Sequence, residues 1–156
     1  MKTPHLVERF LRCRRIAFVG LSRHPRDFSR VLFRDLVERG YDVVPVSPHD
    51  FEVQGRRTFP LVRAIKPPVE AALVMTPPQR SEEVVLDCAA AGVQLVWLHR
   101  GAGTGAVSPE ALRAAADHGL EVVPGECPYM YLDAPGFVHA AHRFLRRLFA
   151  GKAAAA

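Results

Sequence analysis

Short apolar runs, each closed by a breaker and followed by a helical pattern, leave this chain of 156 residues few choices of fold. Ile16 to Gly20 reads as a first buried strand. Asp42 to Val46, Ala71 to Met75, Gln94 to Leu98 and Glu121 to Val123 read as further strands, with a short extra one around Arg57 to Phe59. Helical patterns fill the gaps. Residues 5–13 put Leu6, Val7, Phe10 and Leu11 on one face. Asp27 or Ser29 can cap a helix from Ser29 to Arg39, with Leu32, Phe33, Leu36 and Val37 inward and Gly40 as its stop. Leu61 to Ile65 reads as one helical turn ended by Pro67 and Pro68. Ser81 is expected to cap a helix whose first turn carries Glu82 and Glu83 and which stops at Gly92. Ser108-Pro109-Glu110 opens another helix and Gly119 closes it. A last helix is expected over 136–149. Alternation at this spacing predicts an α/β fold: a mainly parallel sheet of five to six strands with helices on both faces and right-handed crossovers.

Composition narrows the class. An apolar fraction of 49% and a charged fraction of 24% are ordinary for a globular protein. The whole chain, 1–156, is expected to form one domain. No apolar run approaches the ~18 residues of a membrane helix, and the N-terminus lacks the apolar segment of a secretory signal. No membrane role and a cytoplasmic location are therefore expected. Cys13, Cys88 and Cys127 are scattered and form no C-x-x-C pair, which argues against a disulfide framework and a zinc site. The net charge is +5 and arginine dominates it. The basic residues form no single block and accompany no nucleic-acid motif, so a nucleic-acid partner is not expected.

The strand Ile16-Ala17-Phe18-Val19 runs straight into Gly20-Leu21-Ser22, and a helix follows. That arrangement brings backbone N–H groups and a helix N-terminus towards a phosphate. The dinucleotide fingerprint G-x-G-x-x-G is missing, because the next glycine is Gly40. An acidic residue is also missing from the end of the second strand, where Val46-Ser47-Pro48-His49 stands. Both absences argue against NAD. In parallel sheets ligands bind at the carboxyl ends of the strands. The notable segments all fall there: Gly20-Leu21-Ser22, Val46-Ser47-Pro48, Met75-Thr76-Pro77-Pro78, His99-Arg100-Gly101 and Glu126-Cys127-Pro128.

Taken in order, I-A-F-V-G-L-S, F-S-R-V, V-V-P-V-S-P, Val96-Trp97-Leu98, Gly101 and Cys127-Pro128 resemble the stand-alone CoA-binding domain family. The resemblance spans residues 14–130. A related domain opens the alpha subunit of succinyl-CoA synthetase, and the Thr76-Pro77-Pro78 segment is more similar to that relative's proline-containing loop than to the aromatic-arginine pair of small stand-alone members. The resemblance implies a Rossmann-like domain that holds coenzyme A with its nucleotide end at the switch point of the sheet. It implies that Gly20, Leu21 and Ser22 line the phosphate turn, that Ser29 and Arg30 stand at the helix N-terminus, that Val46, Ser47 and Pro48 border the nucleotide, and that Thr76, Pro77 and Pro78 form the facing loop. The chain departs from its relatives at His49, where many have lysine, and at His99-Arg100-Gly101, where the synthetase has a Thr-Glu-Gly type of loop.

CoA is strongly anionic, and Arg23, Arg26 and Arg30 cluster by the turn. At least one of them is expected to meet a phosphate. Catalytic machinery is not expected. His99 follows a strand at the functional rim but reads as a packing residue, Cys127 as structural, and His139 and His142 as a helix-face pair without a third metal ligand. The leading expectation is non-catalytic binding of CoA or acyl-CoA as carrier, sensor or regulator. The alternatives are a small NAD(P)-dependent or acyl-CoA-processing enzyme, or a CoA-ligase subunit that works with a partner chain.

Overall fold

The computed structural model describes residues 3–101 and 103–132. In chain order these form α1 (Thr3–Arg12), β1 (Arg15–Val19), α2 (Phe28–Glu38), β2 (Asp42–Val46), β3 (Glu52–Val53), β4 (Arg56–Arg57), β5 (Ala71–Val74), α3 (Pro78–Ala90), β6 (Leu95–His99), α4 (Pro109–Asp117) and β7 (Glu121–Glu126), with single 3-10 turns at Val62–Ala64 and Pro128–Met130. The expected C-terminal helix over 136–149, with His139 and His142, lies outside the described residues.

The main sheet has the order β2-β1-β5-β6-β7, and every pairing in it is parallel. Beyond β2, Phe59 makes a one-residue parallel bridge to Val46. Its N–H donates to the Pro45 carbonyl and its carbonyl accepts from the Ser47 N–H, each over 2.9 Å. With Phe59 taken as a rudimentary third strand, the order is that of a Rossmann sheet, and the direction in which strands are added reverses between β1 and β5. Pro60 lacks an N–H and stops this third strand after a single residue. The strand expected around Arg57 to Phe59 is instead divided between this bridge and the antiparallel hairpin of β3 and β4.

The sheet alternates side chains between two cores, as its pleat requires. On one face, Ile16, Phe18, Leu73 and Trp97 pack under Val7 and Phe10 of α1 and Leu32, Phe33 and Leu36 of α2. Trp97 is fully buried and meets Phe10 edge to face at 5.2 Å. Its indole N–H donates to the Glu126 carbonyl over 2.8 Å. On the other face, Ala17, Val19, Val74, Val96 and Leu98 pack under Val85 and Cys88 of α3 and Ala111 and Ala115 of α4. Small residues in β1 and α4 let this second layer sit close.

Two boundaries differ from the sequence reading by three residues or more, and the others by two at most. α3 starts at Pro78, three residues before Ser81. Proline suits the first helical position because it has no N–H to leave unpaired and its φ is already helical. Ser81 is therefore inside the helix and fully buried. Its hydroxyl reaches the Pro77 carbonyl at 3.3 Å and the Thr76 hydroxyl at 3.1 Å. β7 runs on to Glu126, past Pro124 and Gly125, because an edge strand tolerates both.

Candidate functional site

The carboxyl ends of β1, β2 and β5 converge on Gly20. Its N–H donates to the Val46 carbonyl over 3.3 Å, and its φ is +94°. A Cβ at this position would lie 2.8 Å from both the Met75 carbonyl carbon and the Thr76 nitrogen. Gly20 thus lets two strand ends meet at the switch point. The space beside it belongs to the Met75–Thr76 backbone just after β5.

The turn after Gly20 is held from within. Leu21 is buried against the α2 side of the core. The Ser22 N–H donates to the Ser29 hydroxyl over 3.0 Å. The Ser29 N–H and hydroxyl both donate to the Asp27 carboxylate, over 2.9 and 2.6 Å. Asp27 is the cap of α2, and Ser29 is the second residue of the helix. Arg30 donates to the Ser22 and Arg23 carbonyls, each over 3.3 Å, and lies over the Phe51 ring. It acts as a clamp on the turn.

Beside this turn, on the α3 face of the sheet, opens a cleft of about 270 Å³. Gly20 and Leu21 of the first turn, Val46, Ser47 and Pro48 of the second, and Thr76 and Pro77 of the third all line it. The structure thereby brings together residues expected from three separate strand ends. Others fall elsewhere. Ser22, Ser29 and Arg30 support the turn. Arg23 and Arg26 are exposed and do not line the cleft. Pro78 is the first helical residue and no part of a loop. Gly101 follows β6 and packs against the His99 ring, where an added Cβ would stand 3.4 Å from Cε1.

The cleft also has walls that sequence reasoning missed. Pro60 and Leu61 form the outer wall, and Arg80, Glu83, Val84 and Asp87 form the α3 wall. These four positions are spaced i, i+3, i+4, i+7, so they share one helical face. That spacing was visible, but a helix placed from Ser81 onward leaves Arg80 outside it. Asp87 is buried and accepts the Val62 N–H over 2.6 Å and the Arg63 N–H over 3.4 Å. The Arg63 guanidinium stands 3.6 Å away. One carboxylate therefore ties the outer wall to α3. Arg80 pairs with Glu83 at 3.3 Å.

The remaining candidates have little reactivity. Burial lowers the His99 pKa to about 4, so the ring is neutral at physiological pH. Its Nε2 is enclosed without a hydrogen-bond partner, and Phe28 packs against the ring at 5.7 Å. Burial raises the Cys127 thiol above its ordinary value, which disfavours the nucleophilic thiolate. Among the described residues there is no cluster of three or more His, Cys, Asp or Glu that could hold a metal ion, and no helix long and apolar enough to cross a membrane.

The family described as CoA binding domain matches residues 14–133. The chain belongs to the CoA-binding domain family. Among family relatives, the acetate–CoA ligase [ADP-forming] II subunit alpha of Pyrococcus furiosus is 27% identical over 130 residues, covering 78% of this chain and 28% of the ligase subunit. The chain thus spans little more than a quarter of that relative's length. A hypothetical protein from Pyrococcus horikoshii has a solved structure that superposes with a TM-score of 0.74 at 30% identity, over 82% of this chain and 87% of that one. A dinucleotide-forming acetyl-coenzyme A synthetase from Ca. Korarchaeum cryptofilum, solved with phosphate and ADP, superposes with a TM-score of 0.66 at 26% identity, over 76% of this chain and 27% of that one. The CoA-binding domain is thus found here in the setting the sequence anticipated, an α/β Rossmann-like fold.

Proposed function

We propose that this chain binds coenzyme A or an acyl-CoA, without transforming it, and that the nucleotide end of the ligand occupies the cleft beside Gly20. The observation that carries this reading is the position of the cleft. It lies at the switch point of the sheet, where ligands of such folds bind, and within the residues matched by the CoA-binding family. Val19, Leu21, Val46 and Leu61 give it apolar walls for a ring system, with polar groups at the rim. At about 270 Å³ it falls just below the usual range of ligand pockets, roughly 300–1,000 Å³. That size suits a nucleoside, with the pantetheine arm lying outside.

The hydroxyls of the cleft already have structural work. Ser47 accepts the His49 N–H over 3.2 Å, and Thr76 shares a hydrogen bond with Ser81. Their arrangement favours binding over group transfer. A second reading is supported by the match to a ligase alpha subunit: the chain serves as the CoA-holding component of an assembly whose chemistry lies on a partner chain. Calorimetric titration with CoA, dephospho-CoA, NAD and NADP tests the main reading. CoA is expected to bind and NAD is not. Equal affinity for the two, or binding of NAD alone, would overturn it. Pull-down with a ligase-type partner separates the stand-alone carrier from the subunit.

A further inference from the structure

We propose that Arg80, and none of the arginines around the first turn, reads a phosphate of the nucleotide in the cleft, and that it leaves the Glu83 carboxylate to do so. This assignment rests on the reading of the cleft as a CoA site. It also names a residue of that site that the sequence did not point to.

The first ground is placement. Arg80 lines the cleft, whereas Arg23 and Arg26 do not, and Arg30 is engaged by the Ser22 and Arg23 carbonyls and by the Phe51 ring. The second is that the usual anion position of a dinucleotide fold is already filled. The Asp27 carboxylate accepts the Ser29 N–H at the start of α2, and the Ser29 hydroxyl accepts the Ser22 N–H. A phosphate arriving there would meet a carboxylate at short range, which is repulsive. The third is that Arg80 stands where a helix disfavours a cation. It is the third residue of α3, whose first turn has no acidic residue and whose cap, Pro77, makes no side-chain hydrogen bond. A cation there opposes the helix dipole, and local preferences are broken mainly where function requires it.

The resting partner is weakly held. The Arg80 and Glu83 side chains are 61% and 72% exposed, and a pair in that setting contributes little. A phosphate offers Arg80 a bidentate partner, and a terminal phosphate monoester adds a second negative charge that the Glu83 carboxylate lacks. Asp87, the other carboxylate of the cleft, stays with Val62 and Arg63 and does not compete for Arg80.

The test is titration of CoA into the chain and four variants: R80Q, R80K, E83Q and the double variant R23Q/R26Q. R80Q is expected to weaken CoA by about ten- to a hundredfold and to flatten the salt dependence of the affinity. R80K keeps the charge but loses the fork, so it is expected to fall between R80Q and the parent. E83Q is expected to tighten binding by about two- to fivefold as the competing carboxylate is removed. R23Q/R26Q is expected to bind within about twofold of the parent. Thermal melts without ligand check that each variant is folded. If the parent binds CoA and R80Q binds it equally at all salt concentrations, the assignment of Arg80 is overturned while the CoA reading stands. If R23Q/R26Q loses binding and R80Q keeps it, the first turn reads the phosphate instead. If the parent binds no CoA at all, the functional reading fails and the assignment of Arg80 falls with it.

Discussion

Tyr129 and Asp35 form a buried hydrogen bond of 2.5 Å across 94 residues of sequence, joining the turn after β7 to the middle of α2. It is the kind of contact that fixes a helix over a sheet without adding apolar area. Removing the hydroxyl leaves a buried carboxylate with its donor gone, and an unsatisfied buried acceptor costs about 1–3 kcal/mol. Tyr129→Phe is therefore expected to lower the denaturation free energy by that amount, and Asp35→Leu combined with Tyr129→Phe to recover part of it. Urea titration of the two variants checks this. Equal stability of Tyr129→Phe and the parent would mean that water satisfies Asp35.

Gly20 gives a second prediction, in which fold and ligand fail together. A side chain there meets the Met75–Thr76 backbone, just after β5, at 2.8 Å and must adopt a φ of +94°. Gly20→Ala is expected to cost about 1–3 kcal/mol through forced displacement and backbone strain. Gly20→Val is expected to cost more and to fail as a folded, non-binding variant. Thermal melts beside CoA titration separate the cases. Binding lost at an unchanged melting temperature would show that the side chain blocks ligand alone.

His99 links stability to acid. Its folded pKa of about 4 lies below the ordinary 6.5, so the native state holds the neutral ring and the unfolded chain takes up the proton first. The contribution is complete above about pH 6.5 and is lost as pH falls towards 4. The gap caps the loss at roughly 3 kcal/mol. His99→Phe should flatten the stability profile between pH 6.5 and 4 while leaving other acid transitions in place. Denaturant midpoints measured across that window provide the check, and parallel profiles for parent and variant would remove His99 as the cause.

Asp87 predicts a split between affinity and fold. Asp87→Asn keeps an acceptor for the Val62 N–H but loses the charge that holds Arg63. CoA affinity is expected to fall by about threefold to tenfold as the outer wall loosens, a change of roughly 1 kcal/mol. The sheet, anchored elsewhere, is expected to keep its cooperative unfolding. Titration and circular dichroism together read the two effects.

Most of the architecture was legible because strand and helix periods differ and because each break coincides with glycine, proline or a capping residue. Gly20, Val46, Ser47, Pro48, Thr76 and Pro77 could be brought to one edge from topology alone, since every parallel strand delivers its carboxyl end to the same side. The arginines were harder. Proximity in sequence suggested that Arg23, Arg26 and Arg30 serve the site, yet Asp27 and Ser29 close that helix end and Arg30 clamps its own turn. Arg80 and Asp87 were hidden by a displaced helix start. Ser81 has the chemistry of a cap, but proline at position 78 begins the helix earlier, and a shift of three residues moves Arg80 onto the wall of the cleft. The outer wall was equally out of reach, because Pro60 and Leu61 are brought to the site by tertiary bonds on either side of them, the pairing of Phe59 with β2 and the Val62 N–H donating to Asp87.

Trp97 makes these experiments easier to read. It is the chain's one tryptophan, fully buried on the α1 and α2 face of the sheet with its indole N–H bonded to the Glu126 carbonyl. The cleft opens on the opposite, α3 face. Fluorescence excited selectively at tryptophan, beyond the absorption of the three tyrosines, therefore has a single emitter in a dry environment, whose spectrum will shift to the red when the chain unfolds and will stay nearly constant when the cleft fills. A titration followed by emission alone would look silent even at saturation, while the same signal followed against denaturant would show the ligand as a displaced midpoint.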